Sequence, residues 1–390
     1  MKKILPFDAK SFGLGLAIFS MFFGAGNIIF PLALGQYAGD KTLTAVFGLI
    51  LTAVVMPVAG VVAMLLYDGD YRRFFGRLGK FPGLLLATAV ISLLGPLGST
   101  PRCIALSFTT LRTILPELDL VVFSAGACLL LFICTVRKRR ILDILGWGLT
   151  PVLLALLLGI IVLGLMTPGT LPNVQESHGP LFLHGLSEGY NTMDLLAAFF
   201  FSSMVLGLLR SSSAEEPSLH QKRAQFGIAL WASLLGAFLL AAIYVGFSVL
   251  AALHGHGLTI HGPEALLSAI SHKIAGPYAG AMVCVTVALA CLTTAIALLT
   301  AFTDFVHQEL LEKRVRYEWV LVGAVLLTFV ISTLEFRGIA AFLGPILQVC
   351  YPGLIVLTML NILYRWRGVR FIKRPVFGTF AASAAAYLFF

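Results

Sequence analysis

Charge is what this chain of 390 residues has least of: only 12% of them are Asp, Glu, Lys or Arg, against about 25% in a soluble domain. With 59% hydrophobic residues and a mean hydropathy of +0.96, that deficit excludes a soluble globular protein and leaves a polytopic membrane protein. Reactive groups are scarce too. The six cysteines (Cys103, Cys128, Cys134, Cys284, Cys291, Cys350) are scattered through apolar runs without a CxxC pair, so they read as small packing residues rather than disulfide or metal partners. No GxGxxG, Walker loop, HExxH or nucleophile elbow occurs, which leaves an enzyme without candidate chemistry. A cleavable leader is not expected, because Pro6, Asp8 and Lys10 interrupt the apolar core that would follow Lys2 and Lys3.

What the chain does have is apolar runs long enough to cross a bilayer. They fall near 11–38, 42–66, 82–110, 119–136, 141–166, 188–210, 224–253, 276–306, 318–334, 338–364 and 375–390, eleven in all. The net charge of +9 would suit nucleic acid if it were clustered, but 22 of the 27 Lys and Arg sit in alternate loops. These are Lys2, Lys3 and Lys10; Arg72, Arg73, Arg77 and Lys80; the four residues 137–140; Arg210, Lys222 and Arg223; Lys313, Arg314 and Arg316; and Arg365, Arg367, Arg370, Lys373 and Arg374. The opposite side, with the spans that open towards it, holds only Lys41, Arg102, Arg112, Lys273 and Arg337. The basic residues are therefore topology determinants. They exclude nucleic acid as a partner and place the N-terminus in the cytoplasm, with the C-terminus outside.

The spans divide into two sets of five. Residues 1–166 hold the first set and 188–364 the second, joined by an outer loop over 167–187 rich in Pro and Gly; residues 365–390 add one more span. Five is odd, so the second set starts from the opposite side of the membrane, as in inverted-repeat transporters. In such folds the first helix of each half is interrupted, and substrate sits at the interruption.

The first helix of the first half carries FFGAGNIIFP at 22–31. Segments 12–22 and 28–38 are each too short to span alone, but together they suffice. Between them Gly24, Ala25, Gly26 and Asn27 can unwind, baring carbonyls for a cation and amides for a carboxylate. A packing patch of small residues is the alternative, but it leaves Asn27, four residues before Pro31, unexplained. In the second half the polar cluster is Gly189, Tyr190, Asn191, Thr192, Met193 and Asp194. Asn191 is either the N-cap of an ordinary span, or 181–187 forms an outer half-helix and Asp194 lies deeper. A carboxylate at membrane depth is costly and usually functional, and Asp194 is the one carboxylate near an expected break.

Span 8 places Ala290, Thr293, Thr294 and Ala297 on one helical face. The two hydroxyls either supply hard oxygen ligands or bond back to their own helix. Gly95-Pro96 and Thr100-Pro101-Arg102 are expected to kink span 3, and Gly344-Pro345 and Tyr351-Pro352 to kink span 10. An outer lid helix is expected over 265–274, ending at Gly276. His254, His256 and His261 before it read as loop histidines.

Five motifs, FFGAGNIIFPLALGQYAG, GPLGSTPR, EGYNTMDLLAA, LACLTTAIAL and FLGPILQVCYPGLIVL, occur in order along nearly the whole chain. Together they resemble the branched-chain amino acid:cation symporter family of the BrnQ type. The resemblance implies an all-α polytopic membrane protein with a LeuT-like five-plus-five inverted-repeat core, discontinuous helices 1 and 6, and at least one extra C-terminal span. It implies import of leucine, isoleucine and valine across a bacterial inner membrane with Na⁺, in some members H⁺, and no cofactor. Family members usually have twelve spans; this chain stops near the eleventh, with the ten-helix core complete. The fold's precedent assigns substrate to Gly24, Ala25, Gly26, Asn27, Tyr190, Asn191, Thr192 and Asp194. It assigns Na⁺ to the carbonyls of Ser20, Phe23 and Ala290 and the hydroxyls of Thr293 and Thr294. An H⁺-coupled or uniport carrier of another hydrophobic amino acid such as methionine is the alternative; a channel or a non-transporting receptor would be a different class.

Overall fold

In the computed structural model, residues 9–136, 148–211, 219–258, 262–276 and 279–389 are described, and within them every regular element is helical. Lys2, Lys3, the basic residues 137–140, the first part of span 5 and His261 lie outside the described residues. The first span is two helices, α1 (Ala9–Phe22) and α2 (Ala25–Ala38). Each has 14 residues, about 21 Å, so neither alone crosses a core of about 30 Å. Span 2 comprises α3 (Thr42–Ile50), one π turn (Leu51–Val55) and α4 (Met56–Leu66). A short helix, α5 (Tyr71–Phe75), follows.

Span 3 differs from the kinked helix expected. It stops and restarts: α6 covers Lys80–Leu94 and α7 covers Ser99–Arg112. Pro96 and Pro101 carry no amide hydrogen, so neither can donate to the helical ladder across Gly95–Gly98. Span 10 is one helix, Glu335–Arg367, with Pro345 and Pro352 inside it, neither of which can donate to the helical ladder. Between these lie α8 (Leu120–Val136) and α9 (Thr150–Met166).

The second half opens on a broken span, α10 (His178–Asn191) and α11 (Asp194–Ser211). Helix α10 starts ten residues before the expected 188, within the stretch read as the connecting loop 167–187, so that loop and the start at 188 are corrected to a helical start at His178. The half-polar sequence HGPLFLHGLSEGYN masked the helix from a search for apolar runs. Asn191 is thus the end of an outer half-helix, and Asp194 begins the inner one. Then follow α12 (Leu219–His254), the lid α13 (Leu266–Ala275), α14 (Ala279–Phe305), α15 (Tyr317–Ser332), α16 (Glu335–Arg367) and α17 (Lys373–Phe389). The lid buries Leu266, Leu267 and Ile270 and ends at Gly276, whose φ is 66°.

Several polar contacts tie loops of the same side together. On the basic face Arg72 bonds Glu309, Arg365 reaches the Leu66 carbonyl, and Arg77 lies 3.6 Å over the Tyr364 ring. On the lid face Lys41 bonds the Val174 and Glu176 carbonyls at 2.7 Å, and Arg337 meets Glu264 at 3.2 Å. Large apolar side chains such as Leu43, Phe47, Phe81 and Val122 are exposed around the perimeter, the surface expected of lipid contact.

Candidate functional site at the helix breaks

The two broken spans meet. At the first break Phe23 and Gly24 leave helical geometry, and Asn27 turns back so that its Oδ1 accepts from the Gly24 amide at 3.0 Å. Its Nδ2 donates to both Asp194 oxygens, at 3.0 and 2.8 Å, and also bonds the Tyr244 hydroxyl. Tyr244 in turn donates to Asp194 Oδ2 at 2.7 Å. Asn27 and Asp194 are each 2% exposed, so a carboxylate with no route to water is held by a closed ring of donors. Asp194 is also the first residue of α11, where the positive end of the helix favours it.

At the second break Thr192 donates to the Gly189 carbonyl at 2.9 Å, and Met193 adopts φ 66°. A non-glycine residue in the left-handed region costs of order 1–3 kcal/mol and clusters at functional sites. In the first turn of α11 the Leu195 amide donates to the Tyr351 hydroxyl at 3.0 Å, and the Tyr351 ring stacks on Tyr190 with centroids 4.6 Å apart. Asn191 bonds Glu188 through Nδ2 at 3.2 Å. Because α10 extends back to His178, Glu188 is a second, largely buried carboxylate near this break, and Asp194 is not alone there as expected from the apolar runs.

Arg102 completes the convergence. It was expected among residues opening to the outside, yet it is 2% exposed, in the first turn of α7. Its Nη1 donates to the Asn191 carbonyl at 3.1 Å, and a Cβ on Gly26 would stand 3.0 Å from its Nη2. The break in span 3 therefore brings a third helix end to the other two. Three of the site's polar residues, Arg102, Tyr244 and Tyr351, were missed by sequence reasoning. Arg102 carried a signal, an arginine next to Pro101 within an apolar run; single tyrosines inside the apolar stretches of two long helices carried little.

Four of the five expected cation ligands come together. Thr293 and Thr294 hydroxyls lie 3.2 and 3.0 Å from the Ser20 carbonyl, and Thr293 is 3.0 Å from that of Ala290. All four residues are at most 4% exposed. Phe23 is buried at the break, its ring stacked on Phe19, but no contact ties its carbonyl to the group. Neutral oxygens of this kind fit a hard monovalent ion. Among the described residues no group of three His, Cys, Asp or Glu could hold a metal.

The two faces of the bundle differ in packing. A cavity of about 820 Å³ under the lid is lined by Thr109, Arg112, Glu264, Ser268, Glu335 and Arg337 among others. Phe336, next to both Glu335 and Arg337, lies 5.4 Å from the Arg102 guanidinium carbon. On the basic face Tyr71, Phe74 and Phe75 pack against Phe199, Phe200 and Phe305, with centroids 5.0–6.5 Å apart.

Residues 8–385 match the family described as branched-chain amino acid transport protein. The branched-chain amino acid permease BraB of Bacillus subtilis (strain 168) is 30% identical over 369 residues, covering 93% of this chain and 81% of that protein. Among solved structures, MhsT in complex with L-phenylalanine superposes with a TM-score of 0.54 at 17% identity, over 95% of this chain and 98% of that one. Mhp1 in a closed conformation with bromovinylhydantoin bound gives 0.60 at 14% identity, over 97% and 91%. Both likenesses establish the fold. The chain belongs to the branched-chain amino acid transport protein family, a multi-pass helical membrane protein with a LeuT-like fold.

Proposed function

We propose that the chain is a secondary symporter that imports leucine, isoleucine and valine by alternating access, driven by Na⁺. The observation that carries this reading is the joining of two broken spans through Asn27, Asp194 and Tyr244, on the same span that offers Ser20 to the threonine pair. An amino-acid zwitterion needs anion-binding amides and cation-binding oxygens side by side, and helix breaks supply both. The Gly24 amide is taken by Asn27, so the carboxylate goes to the next amides of α2, while the ammonium faces the carbonyl end of α10 and the aliphatic side chain lies against Tyr190. The threonine pair with the Ser20, Phe23 and Ala290 carbonyls holds Na⁺, a set too weakly charged to retain a dehydrated divalent ion. The excess of Lys and Arg on one face makes that face cytoplasmic in a bacterial inner membrane.

Radiolabelled leucine uptake by proteoliposomes, with and without an inward Na⁺ gradient, tests the reading. Saturable accumulation above equilibrium only with the gradient is expected. Saturable equilibration indifferent to Na⁺ would make it a uniporter; non-saturating flux, a channel; binding without flux, a receptor. Two carboxylates at the span 6 break, Glu188 and Asp194, favour H⁺ coupling as a second reading. Under it an imposed pH gradient drives uptake without Na⁺, and Asp194→Asn abolishes that uptake; retained proton-driven uptake in the variant removes Asp194 from the coupling role.

A further inference from the structure

One cation is buried at the breaks without an anion. A guanidinium carries five N–H donors, and a charged side chain at membrane depth is costly unless it is satisfied. In Arg102 only Nη1 is engaged, by the Asn191 carbonyl at 3.1 Å and Met193 Sδ at 3.6 Å. The faces of Phe30 and Phe336 lie 4.9 and 5.4 Å from its guanidinium carbon, a cation–π setting that leaves the edge of the group free. Nε and Nη2 are buried and bond nothing among the described residues. The nearby carboxylates are engaged elsewhere, Asp194 with Asn27 and Tyr244, Glu188 with Asn191.

The two idle nitrogens are adjacent. Nε–H and the neighbouring Nη2–H point the same way and form the edge that accepts both oxygens of one carboxylate. Beside that edge is Gly26, where even a Cβ would stand 3.0 Å from Nη2 and 3.3 Å from the Asn191 carbonyl. Gly26 and Asn27 lie in the first turn of α2, so their amides have no acceptor within the helix. A forked cation and a helix N-terminus thus lie side by side, so that one carboxylate could draw on both spans 1 and 3.

We propose that Arg102 binds the α-carboxylate of the transported amino acid through Nε and Nη2, with the first-turn amides of α2 beside it. This rests on the amino-acid transport reading above and supplies the counter-charge for its substrate. The site then demands a free carboxylate: an amide or an amine with the same side chain leaves the guanidinium as unpaired as before.

The test compares L-leucine with L-leucinamide, which keeps the ammonium and side chain but lacks the carboxylate. Full-length parent, Arg102→Gln and Arg102→Lys are purified in detergent with Na⁺, and apparent affinities are read from ligand-dependent shifts of the melting temperature. The parent is expected to prefer leucine by about 100-fold, the scale of a charge-assisted bidentate contact. In Arg102→Gln leucine falls to the level of leucinamide, whose own affinity changes by less than about threefold. Arg102→Lys keeps the charge without the fork and retains a preference at least about tenfold smaller than the parent's. A preserved leucine preference in Arg102→Gln overturns the inference, and so does equal weakening of both ligands, which would make Arg102 a structural residue. If the glutamine variant does not fold, the lysine variant decides, and an unchanged preference there overturns it. A parent that binds neither ligand fails the transport reading and removes the proposed ligand with it.

Discussion

At the scale of single residues, the site depends on what is missing from Gly26 as much as on what is present. Its lack of a side chain lets Arg102, the Asn191 carbonyl and the Phe30 ring approach the start of α2, where a Cβ would stand 3.0–3.3 Å from each. Gly26→Leu is therefore expected to insert normally but to lose leucine affinity by about 100-fold or more, since overpacking leaves no room for a ligand. Normal affinity in the inserted variant would make the FGAGN stretch a packing patch. The threonine pair gives a second prediction. Both hydroxyls reach across to Ser20 rather than only back along their own helix, so replacing both by valine keeps the shape and removes two oxygens. The double variant should need about tenfold more Na⁺ for half-maximal uptake, about 1.4 kcal/mol, with a smaller change in the leucine requirement at saturating Na⁺. A Na⁺ dependence equal to the parent's would move the cation site elsewhere.

At the scale of elements, α10 lies against span 2 with its backbone in close contact. A Cβ on Gly185 would fall on the Ala45 carbonyl, and the Thr52 hydroxyl donates to the Leu186 carbonyl at 3.0 Å. Close approach through small residues is how helices associate where lipid removes the hydrophobic drive. Gly185→Leu should force α10 away from α3 and destabilise the protein by about 1–3 kcal/mol, read as a lower melting temperature in detergent together with weakened leucine binding, because α10 carries Tyr190 and Asn191 to the break. An unchanged melting temperature would mean that this contact does not position the half-helix.

At the scale of the whole molecule, two faces differ in charge and in closure. The lid face opens on the cavity beside Arg112 and Arg337, while the aromatic cluster around Phe199 and Phe200 fills the basic face. If the basic face is cytoplasmic, a cysteine replacing Glu176 is labelled by an impermeant maleimide on intact right-side-out vesicles, and one replacing Glu312 only after lysis. Both positions are exposed, whereas the six native cysteines are buried or half-buried. The reverse pattern would invert the topology.

Composition and periodicity were enough for the membrane class, the lid helix and the first break. These follow from local chemistry: hydropathy sets span length, and Gly, Asn and Pro cannot continue a helix in lipid unaided. The motif resemblance, not the residues alone, assigned the cation ligands, since a threonine pair by itself more readily bonds its own helix. Tertiary structure decided the rest. Only packing against span 2 makes the half-polar segment from His178 a helix, and only that start turns Asn191 from a cap into the end of a half-span. Only the break in span 3 carries Arg102 inward; by sequence it counts as one more positive charge near a membrane surface. Whether Asp194 is open to a ligand or enclosed depends on Asn27 and Tyr244, which lie 167 and 50 residues away along the chain. A pattern read along the chain registers neighbours, but the satisfaction of a buried charge depends on groups the fold brings together from distant segments.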